Sequence, residues 1–115
     1  MKILYRDSKI EKICCDEKCA IRKYGEKVAT RLINVIRFMK DSSNLNDLLA
    51  LKQYHLHQLK GDRYGEYSIY LGKTTGFRLI IIPLDENEKE IPPNDISIYA
   101  KSVCVKIEEI SKHYE

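Results

Sequence analysis

The stretch LHQLKGDRYGEYSIYL, from Leu56 to Leu71, decides the fold, because the hydrophobic pattern becomes alternating here. Side chains two residues apart lie on one face of a strand. The residues predicted to share one face are Tyr67, Ile69 and Leu71. Ser68 and Tyr70 then lie on the opposite face. The stretch therefore predicts a turn followed by a strand.

The next segments predict further strands. A first short strand is flanked by Leu56 and Leu59. LGKTTG is a hairpin connection from the next strand, which carries Tyr67, Ile69 and Leu71, to FRLIIIP, Phe77 to Pro83, which we expect to be a central strand buried on both faces and ended by its proline. All three prolines and five acidic residues lie between Pro83 and Asp95, which predicts a loop. SIYAKSVCVKIEEI is then expected to resume strand structure. This half of the chain predicts a sheet.

The first half predicts helices. KILY suggests a short strand before a helix cap at Asp7 or Ser8. Residues 8–24 predict one helix or two short ones, and residues 26–40 form an amphipathic pattern. Its apolar positions are Val28, Ala29, Leu32, Ile33, Ile36 and Met39. We therefore expect one α+β domain over residues 1–115, with N-terminal helices packed on an antiparallel β-sheet.

Composition sets limits on function. The net charge of +3 and the pI near 8.6 permit an RNA partner or an acidic protein partner without requiring either. No apolar run approaches the roughly 20 residues that span a bilayer, and the N-terminus lacks a secretory signal pattern. These features predict a cytoplasmic protein with no membrane partner.

Four cysteines are expected to be reduced thiols in that compartment. Cys14, Cys15 and Cys19, with His113, offer an alternative metal site, although their spacing is not that of a zinc knuckle. Structural thiols, with Cys104 among them, are the favoured interpretation.

The alternating segment carries side chains suited to RNA cleavage. Without a metal, cleavage needs activation of the 2′-hydroxyl, stabilisation of phosphoryl charge and a proton for the leaving oxygen. The candidate groups for this chemistry are His57, Lys60, Arg63, Arg78, His113 and Tyr114. No carboxylate cluster typical of a two-metal nuclease and no glycine-rich phosphate loop occurs in the sequence. We therefore expect metal-free chemistry with no cofactor.

Each candidate also has a purely structural interpretation. Lys60 and Arg63 suit a solvated turn, whereas Arg78 lies in an apolar strand and must find water, a carboxylate or a ligand. Glu66 and Glu109 are the carboxylates considered for it. Tyr64 or Tyr70 could stack on a base.

LHQLKGDRYGEYSIYL, FRLIIIP and the terminal IEEISKHY together resemble RelE/HigB-type toxins of bacterial type II toxin–antitoxin systems, closest to the HigB-like plasmid maintenance system killer proteins. The resemblance spans nearly the whole chain. It implies a RelE-like fold and a ribosome-dependent endoribonuclease that cleaves messenger RNA. It also implies neutralisation by an antitoxin protein, which we expect to contain a helix-turn-helix.

The resemblance also implies roles for individual residues. His57 and Lys60 match the histidine and lysine of the family's LHxLKG element, which are linked to RNA binding and catalysis. Arg63 matches a basic position in the same turn. Arg78 resembles the arginine that contacts the scissile phosphate. RNA binding is thus expected at Lys60, Arg63, Tyr64 and Arg78.

The C-terminus departs from the family pattern. Relatives commonly end in DYH, whereas this chain has Lys112, His113 and Tyr114, so the aspartate is absent and the two rings are exchanged. Either His113 and Tyr114 act in exchanged positions or activity is weakened. Two alternatives remain open: a non-catalytic toxin-fold module that binds an antitoxin-like protein, and a zinc-binding regulatory protein that uses the cysteines.

Overall fold

A computed structural model of the chain describes residues 1–112. The elements are β1 (Lys2–Tyr5), α1 (Ser8–Cys15), α2 (Glu17–Tyr24), α3 (Glu26–Asp41), α4 (Asn46–Leu49), β2 (His57–Gln58), β3 (Tyr67–Tyr70), β4 (Phe77–Leu84), α5 (Ile98–Lys101) and β5 (Cys104–Lys112). Two short 3-10 turns, Lys52–Tyr54 and Gly61–Arg63, flank β2. The predicted α+β class, with a helical first half and a strand-rich second half, is confirmed.

The five strands form one sheet in the order β1-β5-β4-β3-β2. Neighbouring strands from β2 to β5 are antiparallel, as expected, but β1 runs parallel to β5. The expectation of a wholly antiparallel sheet was therefore wrong at this edge. A parallel pair needs a long crossover connection, and nearly the whole chain lies between these two strands.

The helical segment before α3 is divided into two short helices. Asp16 adopts an extended conformation between them, and its carboxylate accepts hydrogen bonds from the backbone N–H groups of Lys18 and Cys19. Asp7 caps α1 in the same way, by accepting from the N–H of Ile10 at 2.9 Å. Local capping chemistry thus sets both helix starts.

The helices and the sheet share one hydrophobic core. Leu32 and Met39 of α3 pack in one cluster with Ile69 of β3 and Leu79 of β4, and all four are fully buried. Tyr67, Ile69 and Leu71 therefore face the core, as the alternation predicted. The opposite side of β2, β3 and β4 carries His57, Ser68, Tyr70, Arg78 and Ile80. We call it the outer face.

β4 is the central strand of the sheet, but the expectation that Pro83 ends it was wrong, because the strand continues to Leu84. β3 pairs with β4 only as far as Ile81. Beyond that residue, this edge of β4 has an isolated bridge between Leu84 and Glu90 in place of a neighbouring strand, so the missing N–H of proline interrupts no continuous ladder there.

The segment after the acidic loop also differs from expectation. Ile98–Lys101 forms a helical turn, and strand structure begins at Cys104. Ile98 is buried in the core and Tyr99 makes an edge contact with the Tyr67 ring at 5.7 Å. Tertiary packing therefore overrides the strand propensity of this sequence. β5 continues to Lys112, the last described residue.

Within residues 1–112, none of the helices has both the length and the apolar character that a bilayer span requires.

The carboxylates at the two helix caps predict that the folded protein loses stability in acid. Hydrogen bonds from the backbone, of Ile10 to Asp7 and of Cys19 to Asp16, lower the pKa of each carboxyl below its ordinary value. A pKa lowered by folding contributes stability above the unfolded-state pKa, and that stability is lost as pH falls through the folded-state pKa. Asp7→Asn with Asp16→Asn keeps both caps without the charge. We expect the double variant to lose less stability between about pH 4 and pH 2.

Urea unfolding at a series of pH values measures this difference. Glu17→Gln, a carboxylate-to-amide change in the first turn of α2, is the matched control. An unchanged pH dependence in the double variant would contradict the assignment of the caps.

Candidate active site

The strand register brings several candidate residues to the outer face. Tyr70 of β3 lies opposite Arg78 of β4, and Arg78 lies opposite Ser111 of β5. On the other side of β3, Ser68 lies opposite His57. Paired residues point to the same face, so Tyr70, Arg78 and Ser111 form one row across three strands, and His57 and Ser68 belong to the neighbouring row on the same face.

Arg78 is half-buried in the middle of this row. Its Nε atom is buried and has no hydrogen-bond partner within residues 1–112. No ion pair to a described carboxylate involves Arg78 either. A partly desolvated guanidinium without a counter-ion attracts an anionic ligand.

The carboxylates considered for Arg78 bind Arg63 instead. Arg63 Nε donates to Glu66 at 2.7 Å, and one Nη donates to Glu109. These hydrogen bonds, to Glu66 first and then to Glu109, raise the pKa of Arg63 above its ordinary value. Arg63 therefore fastens the Gly61–Arg63 turn to β5.

Three rings lie together at the β2 end of the row. The centroid of His55 is 4.6 Å from that of His57 and 4.6 Å from that of Tyr70. His57 and Tyr70 make an edge contact at 6.4 Å. His55 is exposed and adopts a left-handed backbone conformation just before β2, and its ring lies in this cluster. The signal available in the sequence was the pair of histidines two residues apart.

The His57 ring has a defined orientation. Its Nδ1 lies 2.7 Å from the carbonyl oxygen of His55. A carbonyl can only accept, so Nδ1 carries the proton in this hydrogen bond. In the neutral ring, Nε2 is then left with a lone pair. His57 is thus prepared to accept a proton at Nε2.

A small pocket of about 70 Å³ adjoins Arg78. It is formed by the β3–β4 connection and the adjoining strand ends: Tyr70, Gly72, Lys73, Gly76, Phe77 and Arg78. A larger groove of about 530 Å³ lies on the surface of α3, lined by residues such as Lys27 and Arg31. That groove contains no histidine, tyrosine or cysteine, so the chemistry favours the smaller pocket.

Lys60 is not joined to this row by any described contact. The ladder extends to Leu59, whose N–H donates to the carbonyl of Glu66 at 2.9 Å. Lys60 itself lies outside β2, directly before the Gly61–Arg63 turn, so the pairing of β2 does not define the direction of its side chain. The convergence of Lys60 with Arg78 therefore stays a prediction. Tyr64, in the same turn, is 57% exposed and available for stacking.

The remaining candidates, His113 and Tyr114, lie outside the described residues. Described strand β5 ends at Lys112, which pairs with Phe77.

The cysteines do not converge. Cys14 and Cys104 are buried, Cys15 is exposed and Cys19 is half-exposed. Burial raises the pKa of the Cys14 thiol to about 12, which disfavours the thiolate that a metal requires. No group of three or more His, Cys, Asp or Glu side chains in residues 1–112 could hold a metal ion. The geometry of these residues gives the zinc alternative no support.

No protein-family model and no curated protein matches this sequence. Solved structures do match it. One is described as a YoeB/ParE toxin from Agrobacterium tumefaciens, with a TM-score of 0.57 and 14% sequence identity. The match covers 99% of this chain and 100% of that chain.

The fold is similar to that of a YoeB/ParE toxin. At this identity the similarity concerns the fold alone. It agrees with the expected toxin-type α+β architecture without distinguishing a RelE or HigB type.

The Arg63 interactions predict a measurable coupling. Arg63→Ala and Glu109→Ala should each lower the free energy of unfolding, and the double variant should lose less than their sum, because both remove the same partly exposed pair. We expect a coupling of about 0.5–1 kcal/mol in a double-mutant cycle, measured by urea unfolding. Arg22→Ala, an exposed arginine on α2, is the control and should show no coupling with Glu109→Ala.

Proposed function

We propose that this chain is the toxin of a type II toxin–antitoxin system, an endoribonuclease that cleaves messenger RNA on the ribosome. The observation that carries the proposal is the half-buried Arg78, which has no ion-pair partner within residues 1–112 and lies on one face of the sheet with Tyr70 and the oriented His57. The toxin-type fold supports it. The expected setting is the cytoplasm, where an antitoxin protein with a helix-turn-helix holds the toxin inactive.

In the proposed reaction, Arg78 binds the non-bridging oxygens of the scissile phosphate through its planar fork. His57 Nε2 takes the proton from the 2′-hydroxyl, and the resulting alkoxide attacks phosphorus. The bond to the 5′ oxygen breaks, giving a 2′,3′-cyclic phosphate and a 5′-hydroxyl. The proton for the leaving oxygen comes from His113 or Tyr114.

Two further groups contribute to binding in this proposal. Lys60 supplies a second positive charge when RNA contacts the turn, and Tyr64 or Tyr70 stacks on a base next to the cleaved bond. Arg63 acts indirectly, since its bonds to Glu66 and Glu109 hold that turn on the sheet.

The role of Arg78 can be tested by expression of the chain and sequencing of messenger RNA ends. We expect the wild-type chain to slow growth and to produce new 5′ ends. Arg78→Ala should reduce cleavage by roughly 100-fold or more, because a charge-stabilising donor is lost from the transition state. Arg78→Lys should retain part of the activity. Arg22→Ala should cleave like wild type, and a fully active Arg78→Ala variant would exclude the proposed site.

Two amide substitutions separate proton transfer from placement at His57. Asn places its amide near Nδ1 and Gln places its amide near Nε2, but neither accepts a proton at neutral pH. If His57 is the base, both His57→Asn and His57→Gln should lower kcat by roughly 100-fold or more with little change in KM. Single-turnover cleavage rates check this expectation. Near-wild-type kcat in His57→Gln would instead make His57 a binding residue.

A non-catalytic module that binds an antitoxin-like protein is the second candidate. Arg63 is occupied by carboxylates and no described contact joins Lys60 to the row, so Arg78 is the cation that the described residues place in the row. Intact transcripts and normal growth on expression of the wild-type chain would favour this candidate. Co-purification of a small protein encoded in the adjacent reading frame would then identify its partner.

A further inference from the structure

Two buried side-chain polar atoms in residues 1–112 have no hydrogen-bond partner, Ser68 Oγ and Arg78 Nε. Ser68 is fully buried, with 0% of its surface exposed. Leaving a buried polar group unsatisfied costs free energy, so an orphaned pair calls for an explanation.

The two atoms are close in the sheet and complementary. Ser68 pairs with Ile80, and Arg78 lies two residues before Ile80 on the same face. Such diagonal neighbours have Cα atoms roughly 7–8 Å apart, within the reach of an arginine side chain. Arg78 Nε–H is a donor, and the Ser68 hydroxyl can accept. A change of arginine rotamer therefore satisfies both atoms.

We propose that Ser68 is a positioning residue for Arg78. When an RNA phosphate binds, Ser68 Oγ accepts the Nε–H hydrogen bond, and the guanidinium then presents its two terminal nitrogens to the phosphate oxygens. This inference rests on the proposed function, because it assigns Arg78 the scissile phosphate. It adds a residue with no acid–base role whose hydroxyl fixes the direction of the arginine fork.

A structural role and a positioning role predict different results for Ser68→Ala. Removal of an unsatisfied buried hydroxyl should raise Tm by a few degrees in either case. The positioning role also requires that kcat/KM of this more stable variant fall roughly tenfold, because the loss of one hydrogen bond to a charged group has about that effect. Ser102→Ala is the matched control. Ser102 is equally buried, but its hydroxyl donates to the Ile98 carbonyl, so this variant should lose stability and keep activity.

Binding of a 2′-O-methyl RNA hexanucleotide tests the same contact without cleavage. Ser68→Ala should weaken binding roughly tenfold in the wild-type background and have no effect in an Arg78→Lys background, because lysine has no equivalent of Nε–H. In NMR spectra, the Arg78 Nε–H signal should shift when the hexanucleotide is added to wild type. In Ser68→Ala this shift should be lost.

The outcomes separate the two proposals. Cleavage by wild type with equal cleavage by Ser68→Ala overturns the positioning role and leaves the nuclease. Absence of cleavage by wild type, with binding that depends on Ser68 through Arg78, overturns the nuclease and leaves the positioning role. A less stable Ser68→Ala variant overturns the inference, since the hydroxyl would then be bonded in the resting protein. So does an Arg78 signal that does not respond to the hexanucleotide.

Discussion

The register of β4 between β3 and β5 is the constraint on which the candidate site depends. Leu79 and Ile81 point into the core, so Arg78 and Ile80 must point to the outer face. A slip of one residue would place Arg78 among the helices and Leu79 in its position, at the cost of burying an unpaired charge. The apolar residues of the strand therefore determine which side chains lie on the outer face, although the apolar residues are not part of the candidate site.

The positions of Glu66 and Glu109 determine which arginine they neutralise near this face. Glu109 lies opposite Ile80, in the cross-strand row next to that of Arg78. The Gly61–Arg63 turn brings Arg63 onto Glu109 and Glu66. Because those two acids are already paired, Arg78 keeps its positive charge available. The same ion pairs hold the Gly61–Arg63 turn in place. They therefore fix the position of the turn and also occupy the two carboxylates.

Much of the architecture could be predicted from local patterns. The alternation at Tyr67, Ile69 and Leu71 gave the core side of β3, and the amphipathic stripe gave α3. The parallel pairing of β1 could not be found in this way, since its partner lies about 100 residues away and four residues carry little pattern. Residues 98–101 have strand propensity, but burial of Ile98 and the ring of Tyr99 decides for a helical turn.

The site was harder to predict than the fold. Arg78 could be singled out because a charge in an apolar strand needs a partner, yet the sequence does not show which arginine takes Glu109. That choice depends on how a turn folds over the sheet. His55 was missed because its place beside His57 depends on a left-handed backbone residue, which no periodic pattern reveals. Lys60 is close to His57 in the chain but lies outside β2, so the alternation of the strand does not define the direction of its side chain.

The outer face beside Arg78 is partly apolar. Ile80, the next residue of β4 on this face, is buried although it lies outside the main core cluster. Apolar side chains around a charge lower the local dielectric, and an anion bound there is attracted more strongly than at an open surface. A resting protein in which residues 1–112 offer Ser68 Oγ and Arg78 Nε no hydrogen-bond partner gives up some stability at the same place. That combination is typical of a surface shaped for a ligand, because the free energy lost in the resting state is recovered when the anion binds.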